Sequence, residues 1–333
     1  MKTIKDIAQA ANCSVSTVSK ALNNRSDVSQ TTKKRILKIA KENNFYPNAF
    51  GKALKSKSTE NIGVIFCRES QPLSSNPFYS RVLEGIEAEL AIHNYNLVLQ
   101  LISDENKSEI PKMIRERQID GLILVGVINQ TFVDQLKQID LPLILIDPKI
   151  EQESKWCQIL IDNEDGAMQA VQYLIQSGHQ RIGFISGDLE RQSFSQRFRG
   201  YKRALKFNNI PFSEELVQTG GLEKGYEHTA RLLDLDNPPT ALFSANDINA
   251  IYAYKAITER GLAIAGDISV VGFDDIELSR MASPPLTTVR VYKEEMGSIA
   301  VRRMISVIQD SDIEPNTTLV PTRLVVRESV RHI

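Results

Sequence analysis

Apolar residues fall at Ile4, Ile7, Ala8 and Ala11, the spacing of one face of a short helix. Asn12 follows, a residue that tolerates the left-handed conformation of a tight turn. Ser14 is placed to cap a second helix, whose apolar positions are Val15, Val18, Ala21 and Leu22, and Asn23-Asn24 ends it. Ser29 can cap a third, with Ile36, Leu37, Ile39 and Ala40 as its packing stripe. The spacing therefore predicts three short helices with a tight turn between the first two, a helix-turn-helix arrangement.

Beyond residue 60 the pattern changes. Short apolar runs alternate with longer amphipathic stretches, and a repeat emerges. NIGVIF (61–66) echoes RIGFIS (181–186), and Gly63 and Gly183 stand 120 residues apart. RVLEGIEAELAIHNYN (81–96) echoes RFRGYKRALKFNNI (197–210). IDGLILVG (119–126) echoes TALFSAND (240–247), and LPLILID (141–147) echoes ISVVGFDD (268–275). Two α/β segments share an alternating pattern by default, but these pairs keep nearly the same offset. Each half reads as a doubly wound parallel α/β lobe.

Charge sharpens the division. Of 333 residues, the first 58 hold 12 Lys+Arg against 3 Asp+Glu, a net of +9. The remainder carries −10, from 28 basic and 38 acidic residues. A basic head on an acidic body suggests a polyanion-binding module joined to something else, although a lysine-rich solvated helix would carry the same charge. Cys13, Cys67 and Cys157 are odd in number and lack metal-ligand spacing, which fits a reducing compartment. No apolar stretch approaches the roughly 18 residues of a membrane span, and the N-terminus has no apolar signal region, so a cytoplasmic location is expected. His93, His179, His228 and His332 are scattered, and no G-x-G-x-x-G, phosphate-binding loop or G-x-S-x-G elbow occurs. No metal, cofactor or enzymatic chemistry is expected.

The hydroxyl-rich run SVSTVSK (14–20) gains meaning in this setting. Short side chains let a helix backbone approach DNA closely, hydroxyls donate to phosphate oxygens, and a lysine reaches a phosphate or a guanine. A serine-rich capped surface helix is the plainer alternative. In the body, polar residues follow the strand runs: Arg68 and Glu69, Asp147, Asn246-Asp247, and Asp274-Asp275. Ligands of doubly wound sheets bind beyond such strand ends. Carboxylates, an amide and an arginine suit vicinal hydroxyls, and Phe78, Trp156 or Phe273 could cover an apolar sugar face.

TIKDIAQAANCSVSTVSKALNN, VSQTTKKRILKIAKENNFYPN and AFGKALKS together resemble the lactose-repressor (LacI-type) family of transcription regulators. The resemblance implies that Val15, Ser16 and Lys20 read bases, and that Ser14, Thr17, Ser19, Asn23, Ser29, Thr32 and Asn48 contact phosphates. It implies a hinge helix in which Leu54 wedges into the minor groove, with Gly51 weakening that helix when it is isolated. Two positions depart from the family pattern. Asn12 replaces the usual glycine, and Lys20 replaces the usual arginine with a point charge in place of a fork.

The body agrees through NPFYSRVLEGIEAEL, SGHQRIGFISGD, SQRFRGYKRAL, ALFSANDINAIYAY, GDISVVGFDDIELS and SPPLTTV. The resemblance implies effector contacts at Arg197, Asn246 and Asp274, with Asp147, Ser193 and Ile161 beside them, and Phe78 joins the set as the candidate aromatic cover. TGGLEKGYEH departs from the family, with Gly220, Gly221 or Leu222 where an aromatic wall is common. The implied architecture is a DNA-binding domain at 1–47, a hinge at 48–58 and a periplasmic-binding-protein-like core at 59–333. Within the core, lobe one covers about 60–160 plus 290–320 and lobe two about 161–289 plus 321–333. The implied function is a repressor of carbohydrate genes whose affinity for a pseudo-palindromic operator is set by a sugar or sugar-phosphate effector. No leucine-heptad tail follows, so a homodimer is expected. A family member answering to a phosphorylated carrier protein is the first alternative, and a sugar-binding transport component the second.

Overall fold

The computed structural model describes residues 3–22, 25–45, 58–67, 73, 76–102, 109–126, 130–148, 156–221, 224–310 and 312–333. Contacts divide the chain into two units, residues 1–60 and 61–333.

The first unit holds three helices, α1 (Ile4–Ala10), α2 (Val15–Leu22) and α3 (Gln30–Glu42). Thr3 and Asp6 form a capping box at the start of α1, each side chain bonding the other's backbone amide. Helix α1 stops because Asn12 turns left-handed at φ +46°, which lets the Cys13 amide reach back to the Ala8 carbonyl. Ile7, Val18 and Ile36, one from each helix, form the fully buried centre. Leu37 does not belong to the packing stripe. It is 43% exposed, because it lies about 100° around the helix from Ile36.

The second unit starts with β1 (Asn61–Cys67), α4 (Tyr79–Ile92), β2 (Asn96–Ile102), α5 (Lys112–Arg115), β3 (Gly121–Val125) and α6 (Gln130–Leu136). β4 (Leu143–Ile146) and β5 (Cys157–Ile161) complete this run, and α7 (Asn163–Gln176) leads away from it. The second run is β6 (Ile182–Ile185), α8 (Gln192–Phe207), β7 (Val217–Gln218), α9 (Gly225–Leu233), β8 (Ala241–Ser244) and α10 (Asp247–Glu259). It continues through β9 (Ser269–Asp274), α11 (Glu277–Met281) and β10 (Thr287–Val291). The chain closes with α12 (Lys293–Gln309), β11 (Thr317–Val320) and β12 (Thr322–Val325).

Two six-stranded sheets result, in the orders β11-β5-β4-β3-β1-β2 and β12-β10-β9-β8-β6-β7. Every neighbouring pair is parallel except β10 with β12. The internal repeat is therefore a repeat of topology. Register follows it closely: Ile62 pairs Gly121 as Ile182 pairs Ala241, and Leu122 pairs Leu143 as Leu242 pairs Val270. Carried to the strand ends, that register makes Asp147 and Asp274 equivalent residues of the two lobes.

Both sheet faces are covered, which explains why GLILV and LILI read as unbroken apolar runs buried throughout. The chain changes lobe three times, after β5, after β10 and between β11 and β12. The helix after each of the first two crossings packs in the other lobe. Helix α7 lies against α8, and α12 against α4. Glycines permit both contacts, since a Cβ on Gly85 would lie 1.9 Å from the Glu294 carbonyl oxygen and one on Gly200 2.3 Å from that of Glu164. Among the described residues no helix is long and apolar enough to cross a membrane.

Candidate functional site

In the first unit, α2 presents Val15, Ser16 and Lys20 outward; Val15 is 42% exposed despite its apolar side chain. Val18 and Ala21 hold the opposite side in the core. Ser14 and Ser29 start α2 and α3 in the same way. The Ser14 hydroxyl accepts the Thr17 amide at 3.0 Å and lies 2.8 Å from the Thr17 hydroxyl. The Ser29 hydroxyl accepts the Thr32 amide at 3.3 Å and donates to the Thr32 hydroxyl at 2.9 Å. Four of the seven expected phosphate-contacting residues are thus two S-x-x-T caps at two helix N-termini, where amides and the helix dipole favour an anion. Ser19 is half-buried beside them. Asn23, Asn48 and Leu54 lie outside the described residues, as do Arg68 and Glu69. Lys20 is already engaged: its Nζ lies 2.6 Å from Asp27 Oδ2.

In the second unit, the strand-end groups assemble around Arg197, on α8 and only 4% exposed. Its Nε donates to Asn163 Oδ1 at 2.8 Å, one terminal nitrogen donates to the Ala245 carbonyl at 2.5 Å, and the other lies 3.2 Å from Asp274 Oδ1. The guanidinium rests 3.8 Å from the centroid of the Phe273 ring. Asn246, next to Ala245, spends its Oδ1 on the Asn249 amide as the cap of α10. Ser193 lies one turn before Arg197 on α8, half-buried. Ile161 ends β5 in the core, and its carbonyl accepts from Asn163 Nδ2 at 3.4 Å.

The opposing lobe contributes Asp147, whose Oδ2 accepts from the Tyr79 hydroxyl at 3.2 Å. Burial pushes the Asp147 carboxyl up to about 6, with Arg197 and Tyr79 opposing and Asp274 reinforcing the shift. Burial also raises Asp274, against the pull of Arg197 and Lys293. Two residues of one lobe therefore act, in opposite directions, on the charge of a residue in the other. Backbone conformation aims both carboxylates: φ is +49° at Asp147, +111° at Asp274 and +51° at Asp275. Such values are rare outside glycine and concentrate at functional sites.

Phe78 opens α4, 5.2 Å from Tyr79 in an edge-on pair, with Lys293 Nζ 5.9 Å from its ring. Lys293 is 5% exposed, and burial lowers its pKa against the pull of Asp274. It donates to the carbonyls of Asp274, of Asp275 at 3.3 Å and of Val291 at 3.2 Å. The first residue of a lobe-one helix thus holds the turned strand end of lobe two. Lys293, Tyr79 and Asn163 were not evident in the sequence. Their partners are backbone carbonyls and residues 34 to 68 positions away, for which no local pattern exists.

Two strand-end aspartates expected at the site serve the lobe instead. Asp247 is fully buried, with Thr288 Oγ1 2.5 Å from one carboxyl oxygen and the Ile276 amide donating to the other at 2.9 Å. Asp275 lies against Arg327 at 2.5 Å and Arg290 at 2.6 Å; burial would raise it, but these arginines hold it below the usual carboxylate range. Trp156 packs against the core cluster that contains Ile65, Leu122 and Met113, whereas Phe78 packs against the other. Phe273 is wholly buried beneath Arg197 and offers a ligand no face. At Gly220, φ +99°, a Cβ would meet nothing within 4 Å among the described residues. Among the described residues no cluster of metal-ligating side chains occurs.

Known proteins share both units. Residues 3–48 match the model of bacterial regulatory proteins, lacI family, and residues 171–330 match a periplasmic binding protein-like domain. The probable HTH-type transcriptional repressor ExuR of Bacillus subtilis (strain 168) is 36% identical over 100% of this chain and 99% of its own. The chain belongs to the lacI family. Catabolite control protein A of Priestia megaterium, another member, is 32% identical over 99% of both chains. The lac repressor dimer solved with operator and the anti-inducer ONPF superposes with a TM-score of 0.86, at 27% identity over 99% of each chain. A complex of the transcriptional regulator CelR with cellobiose gives 0.73, at 27% identity over 99% of this chain and 100% of that one. As a lacI-family member the protein is a transcriptional regulator, with a helix-turn-helix head and a bilobal core.

Proposed function

We propose that the protein binds a pseudo-palindromic operator as a homodimer and that a small sugar-like effector, held between the lobes, sets its affinity for that DNA. The observation that carries the reading is the meeting of Arg197, Asp274 and Asp147 from opposite lobes, with Asp147 and Asp274 in equivalent register. Arg197 has its donors directed at protein acceptors, so it holds Asp274 in place rather than reaching out itself. The two carboxylates are the acceptors left for a ligand, and a polyol donating to both compensates the desolvation that raises their pKa values. Phe78 supplies an apolar face, and Ser193 and Asn246 flank it. A ligand bridging both carboxylates binds more tightly when the lobes are closed, and that difference in affinity is what allosteric control requires. In the head, Val15 and Ser16 read base edges and Lys20 reaches a guanine, while the paired Ser/Thr caps and Ser19 seat phosphates. Asn23, Asn48 and the Leu54 wedge complete that surface in the same reading. A small molecule is favoured over a phosphorylated carrier protein because these groups converge on a largely buried arginine.

A thermal-shift screen of sugars and sugar phosphates tests the ligand half. At least one compound should raise the melting temperature of the wild type and leave the folded Asp274→Ala variant unmoved. A compound that shifts both equally would place the binding site elsewhere.

A further inference from the structure

The ion pair between Lys20 and Asp27 carries a further consequence for DNA recognition. Lys20 Nζ lies 2.6 Å from Asp27 Oδ2, with the two side chains 50% and 53% exposed. The hydrogen bond from Lys20 is the main cause holding the Asp27 carboxyl below the usual range, so it stays charged at neutral pH. Residues 1–58 contain three acidic residues. Asp6 belongs to the Thr3 capping box, and Glu42 faces Lys38 at 3.9 Å on α3. Asp27 alone is spent on a residue of α2, and it does so from the turn between α2 and α3.

We propose that Asp27 is a specificity-determining residue, which neutralises Lys20 on arbitrary DNA and yields it to a base edge bearing two acceptors. This rests on the reading of Lys20 as a base contact. Non-specific affinity counts cations that displace counterions from phosphates. A lysine paired to a carboxylate adds nothing to that count, because the pair is neutral. To engage DNA, Lys20 must leave Asp27 and strand a negative charge near the phosphates. That repulsion is the same whichever partner Lys20 takes, and a lone phosphate oxygen sets only one acceptor against it. Guanine O6 and N7 offer two acceptors in the groove. The carboxylate therefore removes a sequence-independent attraction while leaving the sequence-dependent one.

The test uses the full-length protein and two duplexes of equal length, one selected from a random library by the wild type and one scrambled. Affinities are measured across a salt series for wild type, Asp27→Asn, Lys20→Met and the double variant. Asp27→Asn should bind the scrambled duplex about two- to fivefold more tightly and the selected duplex with a smaller gain, so the specificity ratio falls. The slope of log affinity against log salt on scrambled DNA should steepen by about one. Both effects should vanish in the Lys20→Met background. An unchanged ratio in Asp27→Asn, or the same change with Lys20 absent, overturns the inference and leaves the Lys20 reading standing. A wild type that selects no sequence, or a Lys20→Met variant with wild-type preference, overturns both.

Discussion

Asp247 shows what a single buried carboxyl does to the lobe that holds it. It sits wholly buried between Thr288 and the Ile276 amide, and burial, helped by the nearby Asp274, pushes its pKa from 3.8 up to about 8. The native protein then keeps a proton that the unfolded chain releases, so stability falls as pH rises from about 4 to about 8. Asparagine has the same shape, can accept the Ile276 amide through its oxygen and can donate to the Thr288 hydroxyl through its nitrogen. Asp247→Asn should flatten the decline of melting temperature between about pH 6 and pH 8 and equal or exceed the wild type at the upper end; parallel curves for the two proteins would refute the assignment. The sequence showed that aspartates follow the strands but not which face a ligand. Asp147 and Asp274 were distinguished from Asp247 and Asp275 only by Thr288, Arg290 and Arg327, whose approach depends on the folded path. Lys293 was hidden for the same reason, because its acceptors are carbonyls turned by positive φ at Asp274 and Asp275.

Among elements, the paired helices α4–α12 and α8–α7 repeat one device, a glycine against the carbonyl near the start of the partner helix. The Gly85 contact is the tighter, at 1.9 Å for an added Cβ against 2.3 Å at Gly200. Each partner is backbone, so the helices must separate to admit a methyl group. Gly85→Ala and Gly200→Ala should each destabilise the core by about 1–3 kcal/mol in urea unfolding, with Gly85→Ala the worse. Losses below about 0.5 kcal/mol, the size of ordinary surface changes, would show that the contacts are looser than drawn. At this scale much was legible. Apolar runs marked β1, β3, β4, β8 and β9, the repeat aligned them, and Ser14 and Ser29 announced the helices they cap. The Thr3–Asp6 box has the spacing of a capping box, and Leu37 leaves the expected stripe because one position along a helix turns a side chain away from the core.

For the whole molecule, a basic head on an acidic body is legible from charge alone, and the repeat is legible as two lobes. Control requires the core to prefer one lobe arrangement when ligand is bound and the head to bind DNA differently in each. In the proposed reading, Asp147 and Asp274 from opposite lobes, with Lys293 holding the end of β9 from the start of α12, are the parts that link ligand to lobe arrangement. The most direct measurement is the affinity of the full-length protein for its selected duplex, by fluorescence anisotropy, with and without the compound found by thermal shift. The affinity should change by about thirtyfold, the middle of the usual range of allosteric coupling, and Asp274→Ala should lose that change while still binding the duplex. A compound that stabilises the protein through Asp274 yet leaves the duplex affinity unchanged would contradict it.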